Sequence, residues 1–170
     1  MTDRAISEPA LVQFSERLTN SAAFGTLFRE GMDLVEETAA YLDGVGRTEA
    51  KALDRSVSLT YATESMRLTT RLMQLASWLL LHRAVKEGEM TLSQANREKT
   101  KVKLSAADPS PEDMLLKLPE QLQVLIARSM TLQGKVRRLD ISIHSAAAEP
   151  APIGNPLMPQ LNRLRAAFER

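Results

Sequence analysis

The sequence predicts an all-α protein: an antiparallel three-helix bundle with a short extra helix and flexible termini. Three observations lead there. Apolar residues recur at steps of three and four, and no stretch keeps a period-two alternation. The apolar set is mainly Leu, Ala, Val and Met, with eight Met and only 4% aromatics, which suits helix-on-helix packing. The longest periodic run, Glu49 to Lys86, contains neither Gly nor Pro.

Residues 1–19 are expected to be a flexible N-terminal segment. MTDRAISEPALVQFSERL carries acids early and no long apolar core, so it does not read as a secretory signal. A bundle domain is then expected over 20–144. Its first helix spans 21–43, with Asn20 and Ser21 as capping candidates and Gly44 at its end. Phe24, Phe28, Val35 and Leu42, joined by Leu27, Leu34 and Tyr41, recur at helical spacing. Glu30, Asp33, Glu36, Glu37 and Asp43 mark the wet side. Gly31 inside this helix costs about 1 kcal/mol relative to Ala, which a close helix crossing would explain.

GVGR makes a short break, and Thr48 is placed to cap a helix from Glu49 to about Lys86, stopped by Gly88. At 1.5 Å per residue this rod would be roughly 57 Å long. One apolar seam runs Leu68, Leu72, Leu75, Leu79. A second runs Leu59, Met66, Met73, Leu80. Within QLASWLLLHRAV, residues 74–85, hardly a polar side is left, so the helix must meet neighbours on more than one face. The surplus would form an exposed apolar patch in a monomer. It predicts a symmetric homodimer with Trp78, Leu80, Leu81 and Val85 near the contact.

Thr91 and Gln94 fit a capping box for a short basic helix carrying Arg97, Lys99, Lys101 and Lys103. SAADPSP follows as a loop, expected to be mobile. The last main helix opens at SPED or at LPEQ, where Pro111 and Pro119 suit a first helical position, and runs to about His144. Its seam is Leu122, Leu125, Ser129, Leu132, Val136, Leu139 and Ile143, the coiled-coil-like rhythm with one polar exception. Residues 145–170 are expected to form a flexible tail. Leu157, Met158, Leu161, Leu164 and Phe168 give its end helical spacing, as either a frayed terminus or a docking peptide.

Composition restricts the function classes. Apolar residues at 44% and charged residues at 25% are ordinary for a globular chain. With no Cys there is no disulfide, thiolate zinc site or Cys nucleophile, which suits a reducing cytoplasm. The richest apolar window is fenced by Arg71, His82 and Arg83, short of the roughly 18 residues a membrane span needs. Residues 1–50 hold four Arg and nine acids, a net of −5, and residues 51–105 hold ten Lys or Arg and five acids, a net of +5. That asymmetry fits complementary faces of packed helices, or a polar docking surface.

Chemistry finds little to stand on. His82 and His144 are the two imidazoles, and each reads as a helix-end or bundle-rim residue. His82 has Trp78, Leu79, Val85 and Lys86 three and four residues away, so no local metal-ligand partner. ExxE and ExxH pairs of di-metal bundles are absent. Glu36 and Glu37 sit on a solvated face. G-x-S-x-G, S-x-x-K, GxGxxG and GxxxxGK[ST] do not occur. NREKTKVK and KVRR are basic, yet the chain is nearly neutral and no aromatic platform accompanies the lysines, against nucleic-acid binding. No catalytic residue, metal ligand or cofactor site is assigned.

Long stretches nevertheless carry a resemblance. LTYATESMRLTTRLMQLASWLLLHRAVKEGEMT, SAAFGTLFREGMDLVEETAAYLDG and LPEQLQVLIARSMTLQGKVRRLDIS resemble the alphaproteobacterial RcdA family, regulators of CtrA degradation. The resemblance implies a non-enzymatic adaptor that helps the ClpXP protease degrade cell-cycle regulators, CtrA among them. It further implies partnership with the response regulator CpdR, which primes the protease, and with the cyclic-di-GMP effector PopA, at a cell pole. It transfers no catalytic motif. An adaptor needs only docking surfaces. The tail residues Leu157, Met158, Leu161, Leu164 and Phe168 are the first candidate, and Lys99, Lys101 and Lys103 the second. A polar scaffold without adaptor activity is the alternative.

Overall fold

The computed structural model describes residues 21–101 and 110–147. Among them the chain forms helices and no strand. Helix α1, Ala22–Asp43, begins where its cap predicts. Ser21 stays extended, and its Oγ accepts the Phe24 N–H at 3.3 Å, satisfying one of the free amides of the first turn. The helix buries Phe24, Leu27, Gly31, Leu34, Thr38 and Tyr41, a single face at steps of three and four.

The single rod expected from Glu49 is corrected. The chain forms α2, Val45–Lys51, turns through Ala52–Asp54, and only then enters α3, Arg55–Lys86. Its 32 residues make α3 about 48 Å long. Thr48, expected as a cap, lies inside α2. No Gly or Pro marks the break, because tertiary packing makes it. Gly46 is buried so tightly that a Cβ there would stand 2.7 Å from Tyr61 Oη and 2.8 Å from Tyr41 Cε1. Tyr41 also donates its hydroxyl to Glu49 Oε2 at 2.6 Å. These contacts seat α2 across the Tyr41–Tyr61 end of the bundle, which a continuous rod could not reach. At the other end Gly88 adopts φ 76°, the left-handed stop expected of it.

Helix α4, Leu92–Lys101, opens with the expected capping box: Thr91 N–H donates to Gln94 Oε1 at 2.9 Å, and Gln94 N–H to Thr91 Oγ1 at 3.2 Å. Both candidate openings of the last helix are used. The one-turn α5, Glu112–Leu115, follows Pro111, and α6, Glu120–Ala147, follows Pro119 and runs three residues past His144. Most of SAADPSP, and the tail candidates Leu157 to Phe168, lie outside the described residues.

Cross-helix pairs set the directions. Glu30 meets Lys135 at 2.8 Å and Glu37 meets Arg128 at 2.6 Å, so α1 and α6 are antiparallel. Phe24 lies against Trp78, and Tyr41 against Tyr61, so α1 and α3 are antiparallel too. Arg71 reaches Ser129 and Trp78 reaches Asp140. Helices α3 and α6 therefore run in the same direction, which corrects the expected antiparallel order at this one pair, and the connection over 87–119, carrying α4 and α5, is a crossover returning along the bundle. Glu30 and Glu37 of α1 thus find their cations on α6.

The core follows the first seam of α3 and the seam of α6. Leu68, Leu72, Leu75 and Leu79 of α3 are buried, as are Leu122, Leu125, Leu132, Val136 and Ile143 of α6. Ser129, the polar exception, is fully buried and satisfied: Arg71 donates to its Oγ at 2.8 Å, and that hydroxyl donates to Ile126 O at 2.7 Å. Gly31 marks the expected close crossing, since a Cβ there would overlap Leu79 Cδ1, itself without exposure. Gly31→Val should therefore lower unfolding stability by roughly 2–3 kcal/mol through overpacking, in spite of Val's better helix propensity. Urea titration followed by ellipticity measures it; an unchanged midpoint would contradict the crossing.

Candidate functional site

Helix α3 keeps its second seam in solvent. Leu59 is 71% exposed, Met66 72%, Met73 66% and Leu80 52%. Their seven-residue spacing keeps them on one face over about 32 Å. The positions between are small: Ala62, Thr63, Thr69, Thr70, Ala76 and Ser77. Thr63, Thr69 and Ser77 turn their hydroxyls onto carbonyls four residues back, at 3.0, 2.8 and 2.8 Å. Their polar atoms are thus engaged with their own helix, leaving a low-profile, largely apolar track. Single exposed apolar residues are unremarkable, but four in helical register make a continuous patch.

The structure corrects the assignment of Trp78 to an interface. Trp78 is 3% exposed and belongs to the protomer core. It stacks on His82 with ring centroids 3.9 Å apart, lies against Phe24, and donates Nε1–H to Asp140 Oδ1 at 2.9 Å. Leu81 and Val85 are half-buried, and of the four only Leu80 stands in solvent. At about 100° per residue, Trp78 and Leu80 point to nearly opposite faces. The contiguous apolar run had merged an inner and an outer row.

The basic segment is also corrected at Lys99. Its ammonium is tied to Asp140 of α6, 2.6 Å from Oδ1. It is therefore no free docking cation. The side chains of Lys101 and Lys103 lie outside the described residues. Asp140 is a hub that joins three helices. It accepts from Lys99 of α4 and Trp78 of α3, and its backbone carbonyl accepts from His144 Nδ1 at 2.7 Å. His144 Nε2 faces Asn96 Oδ1 of α4 at 3.0 Å. Burial alone would push the Asp140 carboxyl up, but hydrogen bonds from Lys99 and Trp78 outweigh it and hold the group below the usual carboxylate range.

His82 is not a rim residue; it is wholly buried. Nδ1 lies 2.9 Å from Trp78 O, and since a carbonyl only accepts, Nδ1 carries the proton. Nε2 is buried without a partner, and burial pushes the imidazole pKa below its ordinary 6.5. A buried acid, Glu64, accepts from Arg67 at 2.6 Å and from Ser110 Oγ at 2.5 Å. This clasp pins the returning connection onto the first half of α3.

Sequence reading missed both acids. Each leaves a signal: Glu64 is in register with Val57, Tyr61, Leu68 and Leu72, and Asp140 with Val136 and Ile143. A carboxylate in a buried row has to be paired. What no helix-local spacing can reveal is the partner, which comes from another element. Among the described residues, no group of three or more His, Asp or Glu is arranged to hold a metal ion. No described helix is long and apolar enough to cross a membrane.

Two outcomes follow from these ties. His82 is held neutral while the unfolded chain protonates near its ordinary value, so its contribution to stability is present above about pH 6.5 and lost as pH falls. Denaturation midpoints should drop between pH 7.5 and 5.5, and His82→Leu should flatten that drop even with Asp140, Lys99 and His144 still nearby. Equal slopes in both proteins would refute this. Asp140→Ala strands Trp78 N–H and Lys99, and should cost about 2–3 kcal/mol by calorimetry or urea; a loss within 0.5 kcal/mol, on the order of an ordinary surface substitution, would refute it.

Comparison with known proteins agrees with this geometry. The sequence profile of a family described as "protein of unknown function (DUF1465)" matches residues 15–168. No curated protein matches the chain. The crystal structure of RcdA from Caulobacter crescentus CB15 is similar at 49% sequence identity with a TM-score of 0.62. The alignment covers 75% of this chain and 96% of that one. With a profile match across most of its length and that degree of identity to a solved relative, the chain belongs to the RcdA family.

Proposed function

We propose that the protein is a proteolytic adaptor that delivers cell-cycle transcription regulators, CtrA among them, to the ClpXP protease primed by CpdR. Family membership supports this through the relative's name, since RcdA stands for regulator of CtrA degradation. The observation that supports the reading is the stripe Leu59, Met66, Met73 and Leu80, an exposed apolar surface suited to protein contact. PopA, as the cyclic-di-GMP effector, is a further partner, and the cytoplasmic side of a cell pole the place of action. An adaptor raises the local concentration of a client at the protease, which tethering achieves without strong individual contacts.

The stripe fits a second copy of the chain. Its order is palindromic: Leu59 mirrors Leu80, Met66 mirrors Met73, Thr63 mirrors Ala76, and Thr69 mirrors Thr70. Two α3 helices packed antiparallel about a two-fold axis between Thr69 and Thr70 would set each large side chain opposite its counterpart, the self-complementarity an isologous interface demands. Leu157, Met158, Leu161, Leu164 and Phe168 then serve as a client-docking tail, with Lys101 and Lys103 as a secondary polar contact.

The test is reconstituted degradation with purified ClpXP, CpdR, PopA, cyclic-di-GMP and CtrA. Adding the protein should speed loss of CtrA about tenfold or more, in solution where polar location cannot act. An unchanged rate would leave the scaffold reading in its place. Deleting residues 150–170 should keep the melting curve and impair delivery of at least one client. Met66→Glu with Met73→Glu should convert a sedimenting dimer to single chains at micromolar concentration, with helical content kept; a monomeric parent protein would contradict the two-fold pairing.

A further inference from the structure

Helix α4 is held differently from the rest of the bundle. Of its described side chains only Ala95 is fully buried, and the main apolar cluster draws on it through Leu92 alone. Its other anchors are polar: Asn96 to His144 at 3.0 Å and Lys99 to Asp140 at 2.6 Å. Leu92, Ala95, Asn96 and Lys99 fall at i, i+3, i+4 and i+7, one face of a helix. The pairing order, Asn96 with His144 and then Lys99 with Asp140, lays α4 antiparallel to α6 and to its parallel neighbour α3. By contrast, α1 buries six positions along its length, five of them side chains. A ten-residue helix is marginal alone in water, so the seat keeps α4 helical rather than the reverse.

We propose that α4 occupies an exchangeable helix-binding seat on α3 and α6, and that a short helix of a partner protein displaces it. The partner helix carries the same pattern: an apolar residue, a small residue three positions on, a polar one next, and Lys at the seventh. The small residue is set by the close approach at Ala95. The Lys is set by Asp140, whose carboxylate is already committed to Trp78 on one side and has a cation on the other. The resident helix enjoys the high effective concentration of a tether, so the seat is closed in the free protein and yields to a partner presented at similar density. This stands on the seat alone and holds whichever client the protein delivers.

The experiment uses the full chain. In the unmodified protein, hydrogen exchange of the α4 amides should run at least about tenfold faster than that of the buried faces of α3 and α6, as a separate opening unit. Exchange of all three in step would overturn the proposal. In a second chain, Ala95→Glu with Lys99→Glu should expel α4 while leaving α1, α3 and α6 protected. Loss of protection in all of them would overturn it too. A fluorescein-labelled peptide of residues 91–101 should then bind this variant saturably and the unmodified chain at least about tenfold more weakly. The same peptide with Lys99→Glu should not bind. Expulsion of α4 without peptide binding, or equal binding of both peptides, would end the idea.

Discussion

The inner row of α3, Leu68, Leu72, Leu75 and Leu79, packs against α1 and α6 at once, and the rest of the molecule is arranged around that demand. Leu79 can reach the core only because Gly31 removes a side chain from the facing turn of α1. With α1 and α6 occupying that side, the outer row from Leu59 to Leu80 stands largely in solvent among the described residues. Burying a Leu or Met side chain is favourable by about 1.5–3 kcal/mol, so four in register form a surface that association can use.

Direction is the second consequence. Because α3 and α6 run the same way, the chain must travel back along the bundle between them, and Leu92, Met114, Leu115 and Leu118 give that connection its apolar anchors. Polar ties add to them at both ends. Glu64 grips Ser110 near the start of α3, and Asp140 grips Lys99 near its finish. Buried charges are costly unless paired, so each tie also dictates where its segment sits. Their disruption leaves an unpaired group in a dry place, which is why single changes there weigh more than surface pairs such as Arg47 with Asp43.

Much of this was readable before any coordinates. The helix caps at Ser21 and Thr91, the stop at Gly88, the crossing at Gly31 and the α6 seam are local or periodic signals, and all of them hold. What stayed hidden was set by distant residues. The break before α3 has no Gly or Pro because Tyr41, Glu49 and Tyr61 create it from other turns. The burial of His82 depends on its place between helices, not on its neighbours in sequence. Trp78 and Leu80 sit two positions apart on opposite faces, so an apolar run read as one patch assigned a core residue to an interface. Lys99 looked like a free cation for want of Asp140, forty-one positions away.

The central claim is that the outer row of α3 is covered by the same row of a second copy, turned about an axis between Thr69 and Thr70. The chain has no Cys, so thiols introduced singly report one contact at a time. Disulfide formation should be measured in an equimolar mixture of a Met66→Cys chain with a Met73→Cys chain, and in each alone. In the proposed register positions 66 and 73 face each other, while 66 faces its own copy only at an offset near 10 Å, too far for a disulfide. The account predicts cross-linking in the mixture and little in either chain by itself. Equal cross-linking in all three, or none in the mixture, would contradict it.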